Sequence, residues 1–169
     1  MTEDEIIAFG TVGAEVEGAR VEITTFRADR YDRESRNPEV AWGDSFVYYD
    51  PPGAEPEPPD RRWPFATLVV HDYAGFDESS RLDRDGVFRV NVNVGKSRFE
   101  ELVGYPPSQH AERRGAHDYT ELDVLLPHPE YGQQAWVCVV SPGATTAGLV
   151  RTLLADAADR AAARHRPRD

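Results

Sequence analysis

The sequence predicts an α+β domain: an antiparallel sheet of about five strands with helices packed on one face. Three stretches carry that expectation. Residues 135–140 (AWVCVV) form an unbroken apolar run of strand length, rich in Val and stopped by Pro142 and Gly143, as expected of a strand buried on both faces. Residues 87–94 (VFRVNVNV) alternate strictly, with Phe88, Val90, Val92 and Val94 on one side and Arg89, Asn91 and Asn93 on the other. Beyond residue 145, Leu149, Val150, Leu153, Leu154, Ala157, Ala158 and Ala161 recur at helical spacing, predicting a helix over 146–165 capped by Thr145 or Thr146.

The remaining elements follow from local chemistry. Thr2 and Glu5 make a capping box, and three acids in the first turn suit the helix dipole, so a first helix starts at the amino end; Gly10 and Gly13 weaken it. Residues 20–27 (RVEITTFR) alternate as an edge strand does, and 29–38 read as a solvated loop of mixed charge. A second strand lies within 39–50, interrupted by a turn or bulge at Gly43 and Asp44. Five prolines in 51–62 exclude helix and sheet there and make a long hairpin loop. Residues 65–73 are a third strand and 76–86 a polar connection. Ser97 caps a short helix that Gly104 stops, 105–118 is a second long loop around Pro106 and Pro107, and 119–126 fits a helical turn or a strand equally well. Residues 166–169 form a flexible tail. No repeat divides the 169 residues, which suit one domain with one core.

Composition narrows function by exclusion. Thirty acidic against nineteen basic residues give a net charge of -11, the wrong sign for phosphate neutralisation, so nucleic acid is not an expected partner. An anionic membrane surface is disfavoured likewise, no apolar run reaches the length of a span, and the acidic start lacks the basic segment of a signal peptide, which together predict a cytoplasmic protein. Cys138 is the single cysteine, and its apolar strand marks it as a buried structural thiol.

Four blocks, WGDSFVYYDP at 42–51, PFATLVVHDY at 64–73, LDRDGVFRVNVNVGK at 82–96 and PHPEYGQQAWVCVVSPG at 127–143, resemble a bacterial family of single-domain proteins of unknown function. More distantly, the order of elements is similar in layout to the YjbR-like or CyaY-like α+β domain. That resemblance implies a two-layer fold, an antiparallel sheet with helices on one face. A DNA-binding role attached to the wider group does not suit the charge of this chain.

No phosphate-binding glycine loop, GxSxG elbow, HExxH or cysteine pair is present. His71 with Asp72, His117 with Asp118, and His128 between two prolines are the groupings with transition-metal donor types, but a strand end, a solvated loop and a hydrogen bond from His128 to backbone account for them, and neither metal nor cofactor is expected. Strand parity makes a row of donors from Arg89, Asn91 and Asn93, a candidate surface for a small polar or anionic ligand, with a plain salt bridge as the competing role for Arg89. His71 joins the row if its strand is the neighbour, and His128, Tyr131 and Trp136 close one end, with the proline loop as a cover. The Ala-rich end of the last helix is compatible with a monomer or a homodimer. Two functions stand: a non-catalytic domain binding a small molecule or a protein through the polar sheet face, or a small hydrolase or isomerase with His71 or His128 as acid and base. The lack of a nucleophile motif favours the first.

Overall fold

The computed structural model describes residues 20–25, 41, 43–50 and 63–164. The expected amino-terminal helix, Trp42, the loops at 29–38 and 51–62 and the tail at 166–169 lie outside them. Among the described residues six strands form one sheet: β1 (Arg20–Thr25), β2 (Ser45–Asp50), β3 (Ala66–Val69), β4 (Arg89–Asn93), β5 (Leu125–Pro127) and β6 (Trp136–Val140), in the order β1-β2-β3-β4-β6-β5 with every neighbouring pair antiparallel. The α+β expectation holds. The strand beyond the expected five is the short β5, drawn from the stretch that fitted helix and strand alike.

Among the described residues three α-helices accompany the sheet: α1 (Lys96–Val103), α2 (His110–Arg113) and α3 (Ala147–Arg164). Register explains why α3 packs where it does. Val47, Ala66, Val92 and Val137 are cross-strand partners, as are Leu68, Val90 and Val139, so these apolar side chains share one face. Val150, Leu153, Leu154, Ala157 and Ala158 of α3, with Phe99 of α1, complete the same buried core. Ser97 does not cap α1; Gly95 occupies that position without a side-chain bond, and Gly104 ends the helix in the left-handed conformation, its N–H donating to Glu100 O at 2.8 Å.

Two other expectations need correction. Residues 105–118 are not an open loop but a series of short helical turns: a 3-10 turn at Pro107–Gln109, α2, and a second 3-10 turn at Arg114–Ala116. Pro107 starts the series, because a first-turn position needs no N–H. The amino end of α3 is capped from a distance: Asp123 accepts from the N–H groups of Gly143 at 2.8 Å, Thr145 at 2.9 Å and Thr146 at 2.9 Å, and from the Thr146 hydroxyl at 2.5 Å. Thr146 is thus a donor to the cap.

Candidate functional site

Strand parity places Arg89, Asn91 and Asn93 on the face opposite α3, as expected, with Thr67, Cys138 and Trp136 as partners across the ladder. That face is not an open row of donors. Arg89 is 1% exposed and Asn91 2%, while Asn93 is half-buried. The connection 70–88 and the β5–β6 turn at 128–135 fold over it, and a buried guanidinium is tolerable only where every charge and donor is met. Here they are met from within the chain: Nη1 and Nη2 of Arg89 bind Asp77 at 3.1 and 2.5 Å, Nη1 also donates to the Ser80 hydroxyl at 2.8 Å, and Nε donates to Asn91 Oδ1 at 2.8 Å. Asn91 passes the network on, donating to Thr67 Oγ1 at 2.9 Å. Burial is the largest single influence and opposes the Arg89 charge, but the hydrogen bonds to Asp77 and the surrounding negative charge together outweigh it and hold the guanidinium above its ordinary range. The competing salt-bridge role is therefore realised, and the planar fork that made an anionic ligand attractive is occupied.

His128 sits beside this pair, 2% exposed, with Nε2 at 3.2 Å from Arg89 Nη2 and 3.8 Å from Asp77 Oδ2. Its Nδ1 accepts from the backbone N–H groups of Glu130 and Tyr131, each at 3.1 Å, the reverse of the donation expected from the sequence. Burial and the adjacent guanidinium keep the ring well below the ordinary histidine pKa. In this way His128 shapes the turn that presents Tyr131. The Tyr131 ring lies 5.0 Å from that of His128, 6.4 Å from Trp136 and 6.0 Å, edge on, from Phe76. Phe76 is 53% exposed and Tyr131 43%, so an aromatic ledge opens to solvent beside the sealed ionic network.

His71 is placed next to a different acid, Asp44, its Nε2 being 3.8 Å from Oδ2. Asp44 is buried at the start of β2, accepts from Val70 N–H at 2.8 Å, and is bonded by the Tyr73 hydroxyl. Burial pushes its carboxyl up to about 6 against the opposing pull of those two bonds, and burial together with Asp44 raises the Tyr73 phenol. Tyr73 ties the two groups of acids together, since its backbone bridges Asp77 in an antiparallel pair. Asp72 pins the same connection by accepting from Leu82 N–H at 2.8 Å.

His117 is elsewhere. Its Nε2 meets the Tyr105 hydroxyl at 2.9 Å, which in turn contacts His110 Nδ1 at 3.2 Å, while His110 Nε2 lies 3.3 Å from the Pro129 carbonyl. The carbonyl can only accept, so the order of donation runs from His117 through Tyr105 and His110 to Pro129. The three histidine groupings do not converge, and among the described residues no three His, Cys, Asp or Glu side chains form a metal-holding group. Cys138 is buried, which pushes its thiol up to about 12.

The structure thus brings Arg89, Asn91, His128, Tyr131 and Trp136 together, with Asn93 at the rim and His71 in the adjoining Asp44–Tyr73 cluster. Sequence reasoning missed Asp77, Ser80, Asp44 and Phe76. The one available signal was the need of a buried-strand Arg for an acid, which does not say which of thirty acids supplies it. Comparison with curated proteins finds no match, and comparison with solved structures finds none. Residues 1–169 match the family described as "Family of unknown function (DUF6194)", and the chain belongs to that family.

Proposed function

We propose that the chain is a non-catalytic binding domain whose ligand, a small molecule with a flat ring, stacks on the ledge of Phe76, Tyr131 and Trp136. The observation that supports this reading is the division of labour on the second sheet face: the buried donors of Arg89 are taken up internally, while two large rings beside them are exposed by 53% and 43%. Aromatic faces and edges favour stacked or edge-on rings, worth about 0.5–1.5 kcal/mol per pair beyond area burial. The fixed charges beneath, Asp77 and Arg89, cancel, so ring shape and a polar substituent within reach of Asn93 set the preference, and binding is insensitive to salt.

Ligand-observed NMR with a library of ring-bearing fragments tests the proposal. Fragments should bind the wild type and lose at least about tenfold in affinity on Tyr131→Ala or Phe76→Ala. A library without hits, or hits indifferent to both changes, would overturn it. The alternative of a small enzyme using a histidine draws support at His71 alone, which is partly exposed and 3.8 Å from the Asp44 carboxyl. Both ring nitrogens of His128 face hydrogen-bond donors, which leaves no room for substrate there.

A further inference from the structure

Three N–H donors converge on one buried imidazole. Backbone N–H groups can only donate, so the Glu130 and Tyr131 contacts at 3.1 Å require an unprotonated His128 Nδ1. The one proton of the neutral ring is then on Nε2, facing Arg89 Nη2 at 3.2 Å, also a donor, with the Asp77 carboxylate 3.8 Å away as the available acceptor. A second proton would have to enter at Nδ1. There it displaces both backbone bonds and puts a positive ring against the Arg89 guanidinium.

We propose that His128 is an acid-sensitive latch on the 128–135 turn: the neutral ring holds Tyr131 in the aromatic ledge, and a proton on Nδ1 releases it. The consequence for binding rests on the ledge being the ligand site, whereas the latch itself is observable without any ligand. The carbonyl side of the turn is tied down separately: Gly132 N–H donates to His128 O at 2.9 Å, Gln134 and Trp136 N–H to Tyr131 O at 3.0 and 3.2 Å, and Ala135 N–H to Gly132 O at 3.0 Å. None of these bonds takes the Glu130 or Tyr131 N–H, so the imidazole is what fixes those two amides. The groups that face the ring are Arg89 from β4, Asp77 from the 70–88 connection, His110 from α2, Arg114 from the turn that follows it and pairs with Glu130, and Glu130 and Tyr131 from its own turn. The three basic groups among them oppose protonation of the closed form, and Asp77 is already shared with Arg89.

The sign follows from linkage. In the released turn the ring titrates near its free value of about 6.5, and in the closed turn it resists the proton, so the closed state loses ground as pH falls below about 6.5, by up to tenfold per pH unit. Amide hydrogen exchange read by NMR from pH 7.5 to 5, corrected for intrinsic exchange, tests this on the full chain. The protection of the Glu130 and Tyr131 amides should fall about tenfold per unit below pH 6.5 while that of the β4 amides does not track it. In His128→Asn the side-chain oxygen replaces Nδ1 as acceptor without titrating, and the protection should become flat. A flat profile in the wild type overturns the proposal, and a slope that persists in His128→Asn assigns the release to another group and overturns it equally. Should that variant not fold, the imidazole nitrogen spectrum of the wild type at pH 8 decides: a proton on Nε2 supports the latch, and a proton on Nδ1 sinks it.

Discussion

The backbone of Gly132 lies directly against the imidazole of His110: a Cβ built on Gly132 would stand 2.4 Å from His110 Cδ2 and 2.6 Å from Nε2. His110 cannot simply move aside, because it is buried and held at both nitrogens by Tyr105 and the Pro129 carbonyl. Gly132→Ala should therefore cost about 1–3 kcal/mol in urea unfolding, the usual range for forced overpacking. The same change introduced into His110→Ala should cost far less, since the Cβ then enters vacated space. Equal costs in the two backgrounds would show that the contact is not what Gly132 serves.

The Asp77–Arg89 pair makes a second case of coupling. Arg89→Met leaves a buried carboxylate unpaired and should lower stability by about 3–5 kcal/mol, with Asp77→Leu costing a similar amount by stranding the guanidinium. The double variant should be no less stable than the worse single one, because it strands neither charge. Denaturant titration of the four proteins completes the cycle; additive losses would mean that the pair acts as two independent groups.

The parity of β4 is legible in the sequence, because a period of two leaves no choice: once Val90 and Val92 face α3, Arg89 and Asn91 must face away. The β6 run and the length of α3 were legible for the same reason, as periodic or continuous apolar patterns that burial alone selects. Nothing comparable marks the cover of the second face. Asp77 and Ser80 sit in a polar connection whose composition suits solvent, and their meeting with Arg89 depends on how that connection folds back. Pro106 and Pro107 read as breakers, and only the three-dimensional setting shows one of them starting a helical turn.

Asp123 as the cap of α3 belongs with these tertiary pairings, and it has a measurable signature. The Thr146 hydroxyl and the Thr145 and Gly143 N–H groups hold its carboxyl below the ordinary range. A depressed carboxyl contributes stability that is present above its unfolded pKa of about 3.9 and is lost as pH falls below that value. Asp123→Ala should thus melt at lower temperature than the wild type by a margin that is constant from pH 8 to 5 and narrows below about pH 4. Asp123→Asn should fall between the two, because Asn still accepts hydrogen bonds and tolerates the positive φ of 58° found here. Thermal unfolding followed by circular dichroism separates the three, and a margin that widens on acidification would contradict the cap.

Asp44 should titrate with the opposite sign. Gly43, at φ 91°, turns the chain so that the Asp44 side chain enters the protein between Val70 N–H and the Tyr73 hydroxyl, and a Cβ on Gly43 would meet Val70 at 2.9 Å. Burial raises the carboxyl from 3.8 to about 6. A group whose folded pKa is raised contributes stability that is full below the unfolded value and lost as pH rises through the folded one, so the wild type should weaken between about pH 4 and pH 6 through this residue. Two pKa units correspond to about 3 kcal/mol. Asp44→Asn removes the titration while its side-chain oxygen still accepts from Val70 N–H and its amide donates to the Tyr73 oxygen. Relative to the wild type, this variant should therefore gain stability on going from pH 4 to pH 7.5, by an amount of that order. Urea unfolding of both proteins at the two pH values gives the difference directly, and a difference independent of pH would mean that Asp44 keeps its ordinary pKa in the folded chain.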